Sequence, residues 1–328
     1  MKEILQYLFE GNKLTRQQAK NSLLEVGKGQ SSEAEFASFL TVFKMRPVES
    51  EELAGFRDAM FELCSKVDLS EFDGMDIVGT GGDGKNTFNI STLACFVVAG
   101  AGVNITKHGN YAASSNSGSS NVLEYLGYKF SNDTDKLRQD LEKGGFCFLH
   151  APLFHPAMKH IAPVRRALKV PTFFNILGPM INPSSPIYQV LGVNNSENFI
   201  HYKNVYESLD INFAIVHSFD GYDEISLTAD TRLGVKGTEK KLTTEDFNLE
   251  RIEPEKLFGG NTIEEAAKIF TGVLEGNGTK EQTNVVLANA GLALQVVHPE
   301  KELTECVALA RESLESGKAL QSLKSVIQ

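Results

Sequence analysis

The sequence predicts an α/β protein, with a mostly parallel central sheet flanked by helices and a smaller all-helical domain at the N-terminus. Three observations support this fold class. Residues 1–65 carry only helical periodicity, and from Met75 onward short apolar runs alternate with helical stretches. The chain of 328 residues is also longer than one ordinary core requires. Strands that alternate with helices are typical of a parallel sheet covered by helices.

The N-terminal unit contains four predicted helices. An apolar face over residues 4–9 predicts the first. Capping boxes of the form S/T-x-x-E/Q at Thr15 and at Ser32 predict where the second and third begin, because their side chains satisfy the free N–H groups of a first turn. Ser50 is the candidate N-cap of the fourth.

The second unit begins with strands and ends with helices. Five apolar runs are the predicted strands: MDIV, VNIT, FCFLH, YQVLGV and FAIVHS. Near the C-terminus, TKEQTNVVLANAGLALQVV is apolar nearly all round, which predicts a buried helix. We divide the chain into a helical domain, residues 1–70, and an α/β domain, residues 71–328. Part of the proline-broken segment 155–170 is expected to join the helical domain.

Composition excludes several classes of protein. The net charge of -10 argues against nucleic-acid binding, because such proteins usually carry a basic face that displaces counterions from phosphate. No segment approaches the roughly 18 uncharged apolar residues of a membrane span, so no membrane association is expected. The four cysteines lie far apart and form no C-x-x-C pair, which is typical of free thiols in a reducing compartment. The N-terminus also lacks a signal-peptide core, and we expect a cytoplasmic protein.

A glycine-rich loop, GTGGDGKNTFNIST, follows the first predicted strand at residues 79–92. It contains G-x-G-x-x-G, but the acidic residue that a dinucleotide site places about 20 positions later is missing. It also contains G-x-x-x-x-G-K, but Asn86 stands where a triphosphate loop needs a hydroxyl for magnesium. Both interpretations therefore fail, and a turn without a ligand remains the alternative.

The surroundings of this loop favour an anionic ligand. No Asp or Glu occurs between Gly84 and Val122, although the chain has 42 acidic residues. Two strand–loop–helix transitions fall here, and N–H groups at helix N-termini attract anions that carboxylates would repel. Adjacent parallel strands ending in such loops face one crevice, which suggests a ligand with more than one phosphate group.

Four segments together resemble a known family. They are the two loops GTGGDGKNTFNIST and KHGNYAASSNSGSSNVLEYLG, the segment HPAMKHIAPVRRALKVPTFFNILGPMINP, and GYDEIS. Over essentially the whole chain they resemble the anthranilate phosphoribosyltransferases of tryptophan biosynthesis. The resemblance implies transfer of the phosphoribosyl group of 5-phosphoribosyl 1-diphosphate to the amine of anthranilate, the second step from chorismate. It also implies a homodimer formed through the helical domain.

The resemblance further implies the site residues. Those expected to hold phosphoribosyl diphosphate are Gly79, Gly82, Asp83, Thr87, Asn89, Ile90, Ser91, Thr92, Lys107, His108, Gly109, Asn110, Tyr111, Ala112, Ala113, Ser114, Ser115 and Ser119. Those expected to contact anthranilate are Gly79, His108, Asn110 and Arg165. Those expected to bind magnesium, as two ions, are Ser91, Asp223 and Glu224.

The residue types fit these roles, with plain alternatives for some. Arg165 can form a two-pronged pair with the carboxylate of anthranilate, and its neighbour Arg166 could do so instead. Lys107 could be an ordinary surface lysine. His108, the candidate for helping the amine lose its proton, could be a core histidine hydrogen-bonded to the backbone.

The adjacent acids Asp223 and Glu224 would point to opposite faces of a strand. Gly221 instead favours a loop, in which both can reach magnesium, and a solvated acidic turn is the alternative. An aryl amine is already a nucleophile, so the implied catalytic task is to neutralise the departing diphosphate. We also hypothesise that substrate binding closes the helical domain over the α/β domain.

The sequence departs from the family pattern in the second loop. Tyr111 stands where a basic residue is usual, and Ser120-Asn121 where Ala-Asp is usual. Asn121, with Glu124 three residues later, is expected to cap the following helix. Two other functions are less consistent with the sequence: a pyrimidine-nucleoside phosphorylase, whose Lys-x-Ser-x-x-Gly-x-Gly signature is absent, and a non-catalytic nucleic-acid-binding relative, which would need a basic surface.

Overall fold

A computed structural model describes residues 1–112 and 116–327. Its first four helices are α1 (Lys2–Phe9), α2 (Arg16–Gly27), α3 (Glu33–Met45) and α4 (Ser50–Leu63). The capping boxes predicted at Thr15 and Ser32 are both present and confirm where α2 and α3 begin. The cap predicted at Ser50 is wrong, because Glu49 is the N-cap and its N–H donates to Glu52 Oε2 at 2.9 Å.

The described residues form a seven-stranded sheet in the order β3-β2-β1-β4-β5-β6-β7. The strands are β1 (Met75–Gly79), β2 (Ile105–Gly109), β3 (Phe146–His150), β4 (Tyr188–Gly192), β5 (Asn212–Ser218), β6 (Thr231–Val235) and β7 (Thr238–Leu242). The first five pair in parallel, which confirms the mostly parallel sheet. The antiparallel strands β6 and β7 were not predicted. All five parallel strands end at one edge of the sheet, and the two glycine- and serine-rich loops begin there.

Ten further α-helices lie in the described residues after β1. They are α5 (Ile90–Gly100), α6 (Ser119–Tyr125), α7 (Thr134–Gly144), α8 (Ala151–Phe154), α9 (Met158–Leu168), α10 (Ser196–Glu207), α11 (Ile263–Leu274), α12 (Lys280–Val297), α13 (Leu303–Glu315) and α14 (Lys318–Val326). Every α12 residue from Asn284 to Leu294 is buried, as its all-round apolar sequence predicts. No helix in the described parts of the chain is long and apolar enough to cross a membrane.

Two main cores cover the two faces of the sheet. One contains α5, α12 and α13, and the other joins the N-terminal helices to the opposite face through α9 and α10. In α9, Ile161 and Val164 are buried in that second core. The assignment of part of segment 155–170 to the helical domain and the boundary at residue 70 both stay predictions.

Phenylalanine rings fill the second core beside α3 and α4. Phe173 stacks on Phe56 with ring centroids 4.2 Å apart, and meets Phe43 edge-on at 5.5 Å. Phe174 meets Phe36 of α3 edge-on at 6.2 Å. Aromatic pairs in these arrangements add to the area they bury, so the segment at residues 173–174 is firmly attached to the helical domain.

Candidate functional site

Asp223 packs against the C-terminal ends of β1 and β4, at Gly79 and Gly192. A Cβ at Gly79 would lie 2.2 Å from Asp223 Oδ2, and a Cβ at Gly192 would lie 1.6 Å from the Asp223 carbonyl oxygen. Both β1 and β4 must therefore end in a residue without a side chain. Oδ2 of Asp223 also accepts a hydrogen bond of 2.6 Å from the N–H of Gly81. The predicted metal-binding acid thus lies directly against the first loop.

Three carboxyl groups interact here: Glu224 is buried, whereas Asp83 and Asp223 are partly buried. Burial, followed by the charge of Asp83, raises the pKa of Asp223 to about 7. Burial, followed by the charges of Asp223 and Asp83, raises the pKa of Glu224 well above its ordinary value, against a hydrogen bond from Thr87. Burial likewise raises the pKa of Asp83. Like charges held this close favour either a shared proton or a cation.

The acid cluster fits magnesium bound together with phosphate. No three His, Cys, Asp or Glu side chains of the described residues surround one point as a complete metal cage. Magnesium normally takes only one or two carboxylates, with water and substrate phosphates as its other ligands. Asp223 and Glu224, which lie beside the first loop, are such an incomplete donor set.

The first loop is held open by its glycines. Gly81, Gly82 and Gly84 have φ angles of 67°, 72° and 71°, a left-handed region that other residues adopt at a cost. A Cβ at Gly81 or Gly84 would meet nothing within 4 Å, so these positions border open space. Asn194, which the sequence did not single out, donates from Nδ2 to the Gly81 carbonyl at 3.1 Å. Asn194 follows β4 closely, and only its place after a parallel strand could have indicated it.

Asn89 is the N-cap of α5 and joins the two loops. Its Nδ2 donates to the Ser117 carbonyl at 3.0 Å, while its Oδ1 is buried and has no hydrogen-bond partner among the described residues. Ser91 is partly buried in the first turn of α5, whereas Ile90 and Thr92 are only 1% exposed. The N–H of Ile90 donates to the Phe88 carbonyl at 2.6 Å. The hydrogen-bonding positions that this helix start offers to a ligand are therefore Asn89 Oδ1 and the N–H groups of Ser91 and Thr92.

The second loop is organised by its amide side chains. Oδ1 of Asn121 accepts from the N–H groups of Ala112, at 2.9 Å, and of Gly118, at 3.0 Å. The prediction that Asn121 caps the helix with Glu124 is therefore wrong: the N-cap is Gly118, and Asn121 reaches back to it from the first turn. The Tyr111 hydroxyl donates to Glu124 Oε1 at 3.1 Å.

Other predicted residues of this loop lie beside one another. The Asn110 carbonyl accepts from Ser119 Oγ at 3.3 Å and from the N–H of Ser120 at 3.2 Å. A Cβ at Gly109 would lie 2.4 Å from Ser119 Oγ, so this strand end also requires glycine. The predicted residues Ala113, Ser114 and Ser115 lie outside the described residues.

Lys107 is buried, so it is not an ordinary surface lysine. It is 2% exposed, and its Nζ donates to the Ile77 carbonyl at 2.5 Å. Its charge lies near Asp76, whose pKa burial raises to about 6, and near Glu224. The ammonium group therefore sits beneath the loops, and a direct contact with a ribosyl phosphate needs a rotation of the side chain.

His108 is a buried, neutral histidine. Its Nδ1 lies 3.2 Å from the Gly178 carbonyl, which can only accept, so Nδ1 carries the proton. Its Nε2 lies 3.1 Å from Nε2 of His155 and must accept from it. Burial and then His155 lower the pKa of His108 well below its ordinary value, and burial lowers the pKa of His155 to about 4. Both nitrogens of His108 are occupied, which does not support a proton-accepting role and matches the core alternative.

Arg165, the predicted carboxylate-binding residue, contacts an aromatic ring and an amide. It lies on α9 with its guanidinium carbon 5.1 Å from the centre of the Phe174 ring, and Nη2 donates to Asn175 Oδ1 at 3.2 Å. None of the ion pairs among the described residues involves Arg165, and burial lowers its pKa. Arg166 is exposed. Of the two arginines, Arg165 is the one held by an aromatic face and an amide.

Family comparisons agree with this geometry. Residues 71–320 match the glycosyl transferase family a/b domain, and residues 2–64 match the helical bundle domain of the same family. The chain is 54% identical to an anthranilate phosphoribosyltransferase from Bacteroides fragilis, over 100% of this chain and 99% of that protein. The crystal structure of an anthranilate phosphoribosyltransferase from Thermus thermophilus superposes with a TM-score of 0.91 at 36% identity, covering 98% of this chain and 97% of that one. The enzyme from Saccharomyces cerevisiae, in complex with PRPP and Mg, has a TM-score of 0.91 at 30% identity, covering 98% and 95% of the two chains. These full-length matches agree with two features of the structure, the glycine loop beside the acidic residues and the helical bundle that precedes the sheet. The chain therefore belongs to the anthranilate phosphoribosyltransferase family.

Proposed function

We propose that this protein transfers the phosphoribosyl group of 5-phosphoribosyl 1-diphosphate to the amine of anthranilate, giving N-(5-phosphoribosyl)anthranilate and diphosphate. The observation that carries the proposal is the group of three interacting carboxyls at the loop of left-handed glycines: Asp83 belongs to the loop, and Asp223 and Glu224 lie beside it. A nucleoside phosphorylase site has no use for such a metal-binding acid pair, and the net charge of -10 opposes nucleic-acid binding.

Phosphoribosyl diphosphate is held by the two loops. Asn89 supports this role, because its Oδ1 is buried with no hydrogen-bond partner in the part of the chain that the structure describes, and it would accept from a ribose hydroxyl. The N–H groups of Ser91 and Thr92, in the first turn of α5, would donate to phosphate oxygens. Lys107 contributes positive charge from beneath, or directly after its side chain rotates.

Magnesium is held by Asp223, Glu224 and Ser91, as two ions. When bound, it neutralises charge on the departing diphosphate. The raised pKa values of both acids support the proposal, since a cation relieves their mutual repulsion. Titration calorimetry with Mg²⁺ in the presence of phosphoribosyl diphosphate should give two equivalents. A stoichiometry of one would refute the proposal that a second ion binds.

Anthranilate lies on the side of α9, with its carboxylate on Arg165. Asn110, His108 and the backbone at Gly79 complete its surroundings. His108 presents a neutral ring fixed by Gly178 and His155, so it orients the substrate and takes no proton. The amine needs no activated protein nucleophile, and orientation towards the ribose carbon supplies much of the rate.

The test is the fluorescence of anthranilate. It should fall only when phosphoribosyl diphosphate and magnesium are both present, and a protein carrying Asp223→Asn and Glu224→Gln should show no fall. Correctly folded protein that leaves the fluorescence unchanged with all components present would overturn the proposed function.

We further propose that the protein is a cytoplasmic homodimer joined through the helical domain. Tyr7 and Phe9 of α1 and Met45 of α3 are 38%, 65% and 84% exposed, respectively, and a second copy would cover them. Sedimentation equilibrium should give twice the mass of one chain, and Phe9→Glu should shift it towards the monomer. A wild-type protein with the mass of one chain would refute the dimer.

A further inference from the structure

A segment far along the chain lies against the first loop. This segment, Leu257–Gly260, is called the bracket below. The N–H of Phe88 donates to the Leu257 carbonyl at 3.2 Å, and the N–H of Gly259 donates to the Asn86 carbonyl at 2.7 Å. Thr87 and Phe258 face each other as an antiparallel β-bridge. The bracket therefore pairs with the loop as a short strand would, although about 170 residues separate them in sequence.

One carbonyl of the bracket connects both phosphate loops. The Gly260 carbonyl accepts from Nδ2 of Asn86, on the first loop, at 2.8 Å. The same carbonyl accepts from Nδ2 of Asn116, on the second loop, at 3.3 Å. A carbonyl oxygen has two lone pairs, so both bonds can form at once. Gly260 therefore fixes the separation between the loops.

The close approach of the bracket depends on glycine. A Cβ at Gly259 would lie 2.4 Å from the Thr87 carbonyl oxygen, a backbone atom that cannot move aside cheaply. Gly260 has a φ of 87°, in the left-handed region. The bracket thus has both the spacing and the conformation that its contact with the first loop requires.

We propose that the bracket is a positioning element for the phosphoribosyl diphosphate site, with Asn86 as its main attachment. A loop with three left-handed glycines is costly to order, because glycine loses more conformational freedom than any other residue. Contacts that order the loop before substrate binds reduce the conformational entropy lost on binding, so the substrate binds more tightly. This role explains why position 86 holds an amide rather than a magnesium-binding hydroxyl.

The inference rests on the proposed function, and it differs from a purely structural role in what it predicts. If the bracket only stabilised the fold, substitutions that remove its contacts would lower the melting temperature and leave both Michaelis constants unchanged. A positioning bracket raises the KM for phosphoribosyl diphosphate while leaving the KM for anthranilate and the melting temperature nearly unchanged.

Asn86→Ala removes the side-chain bond to Gly260. We expect the KM for phosphoribosyl diphosphate to rise about tenfold, the effect of losing one hydrogen bond. Asn104→Ala is the matched control, since Nδ2 of Asn104 also donates to a backbone carbonyl, that of Phe72 at 2.9 Å, outside both loops. The control should leave both KM values unchanged. Equal effects of the two variants, or a parallel rise in both KM values for Asn86→Ala, would overturn the proposal.

A second pair of variants tests the close approach. Gly259→Ala forces the bracket from Thr87, whereas Gly272→Ala, within α11, adds a methyl group with nothing within 4 Å. Amide hydrogen exchange over residues 79–89 should speed up several-fold in Gly259→Ala and stay unchanged in Gly272→Ala. This measurement needs no turnover, so it tests the bracket even if the transferase assay fails. Unchanged exchange in Gly259→Ala would refute the proposal.

Discussion

Asp223→Asn is expected to stabilise the protein when magnesium is removed. The amide has nearly the shape of the carboxylate, and its Oδ1 can still accept from the N–H of Gly81. The substitution removes one negative charge from a group of three interacting carboxyls, so repulsion with Asp83 and Glu224 is relieved. The cluster that would hold the cation is in this sense a weak point of the metal-free fold.

The size of the effect follows from the pKa of Asp223. Its ordinary value is 3.8 and burial with Asp83 raises it to about 7. A difference of about 3 units, at about 1.4 kcal/mol each, is worth up to about 4 kcal/mol. Because the folded pKa is the higher one, the folded protein binds this proton more tightly than the unfolded chain does. The wild-type protein therefore loses stability as pH rises from about 4 to about 7, and the variant does not.

The assay is thermal unfolding in chelator at several pH values. The variant should melt several degrees above the wild type at pH 8 and at nearly the same temperature at pH 4. Adding magnesium with phosphoribosyl diphosphate should raise the melting temperature of the wild type and not that of the variant. Asp230→Asn is the control, because Lys241 and Arg251 lower the pKa of that partly exposed carboxyl, so the loss of its charge should not stabilise the protein. Equal melting of variant and wild type at pH 8, or an equal ligand response, would refute the reasoning.

Three further predictions concern the other groups of the site. Arg165→Ala should raise the KM for anthranilate roughly 10- to 100-fold, as for a lost hydrogen bond to a charged group, and Arg166→Ala should not; equal effects would reassign the carboxylate contact. Gly79→Ala should abolish magnesium-dependent activity, because its Cβ would lie 2.2 Å from a metal-site carboxylate oxygen, whereas Gly272→Ala should be silent; an active Gly79→Ala protein would contradict this packing. His108 should stay neutral, so its ¹⁵N chemical shifts should show a proton on Nδ1 and no titration between pH 5 and 8. A titration midpoint near 6.5 would show that burial does not control the pKa of His108.

The sequence contains enough to predict the parallel part of the sheet and the position of the site. Apolar runs bounded by glycine mark β1 to β5, and strands of this kind end at one edge, so the loops after β1 and β2 had to be neighbours. β7 was missed because Thr238 to Lys241 are polar and exposed, without an apolar face to indicate a strand. Its pairing depends on β6, not on a pattern of its own.

Side-chain directions within the site could not be predicted in this way. The ammonium of Lys107 is set by the Ile77 carbonyl, 30 residues earlier, and the ring of His108 is set by His155, 47 residues later. Such partners come from the assembled fold rather than from local sequence. The bracket at residues 257–260 is a stronger case, because its only local signal is a pair of glycines.

The phenylalanine packing between the helical domain and the segment at Phe173 has a consequence for autonomous folding. The first four helices bury Phe43 and Phe56 against a ring supplied more than 100 residues later in the chain. A fragment of residues 1–70 would expose that aromatic surface to water, and we expect it to aggregate rather than to fold alone. During synthesis, the core of the N-terminal helices is therefore incomplete until the chain has been made as far as residue 174. The core of the N-terminal helices is thus continuous in space, although its residues come from separate parts of the sequence.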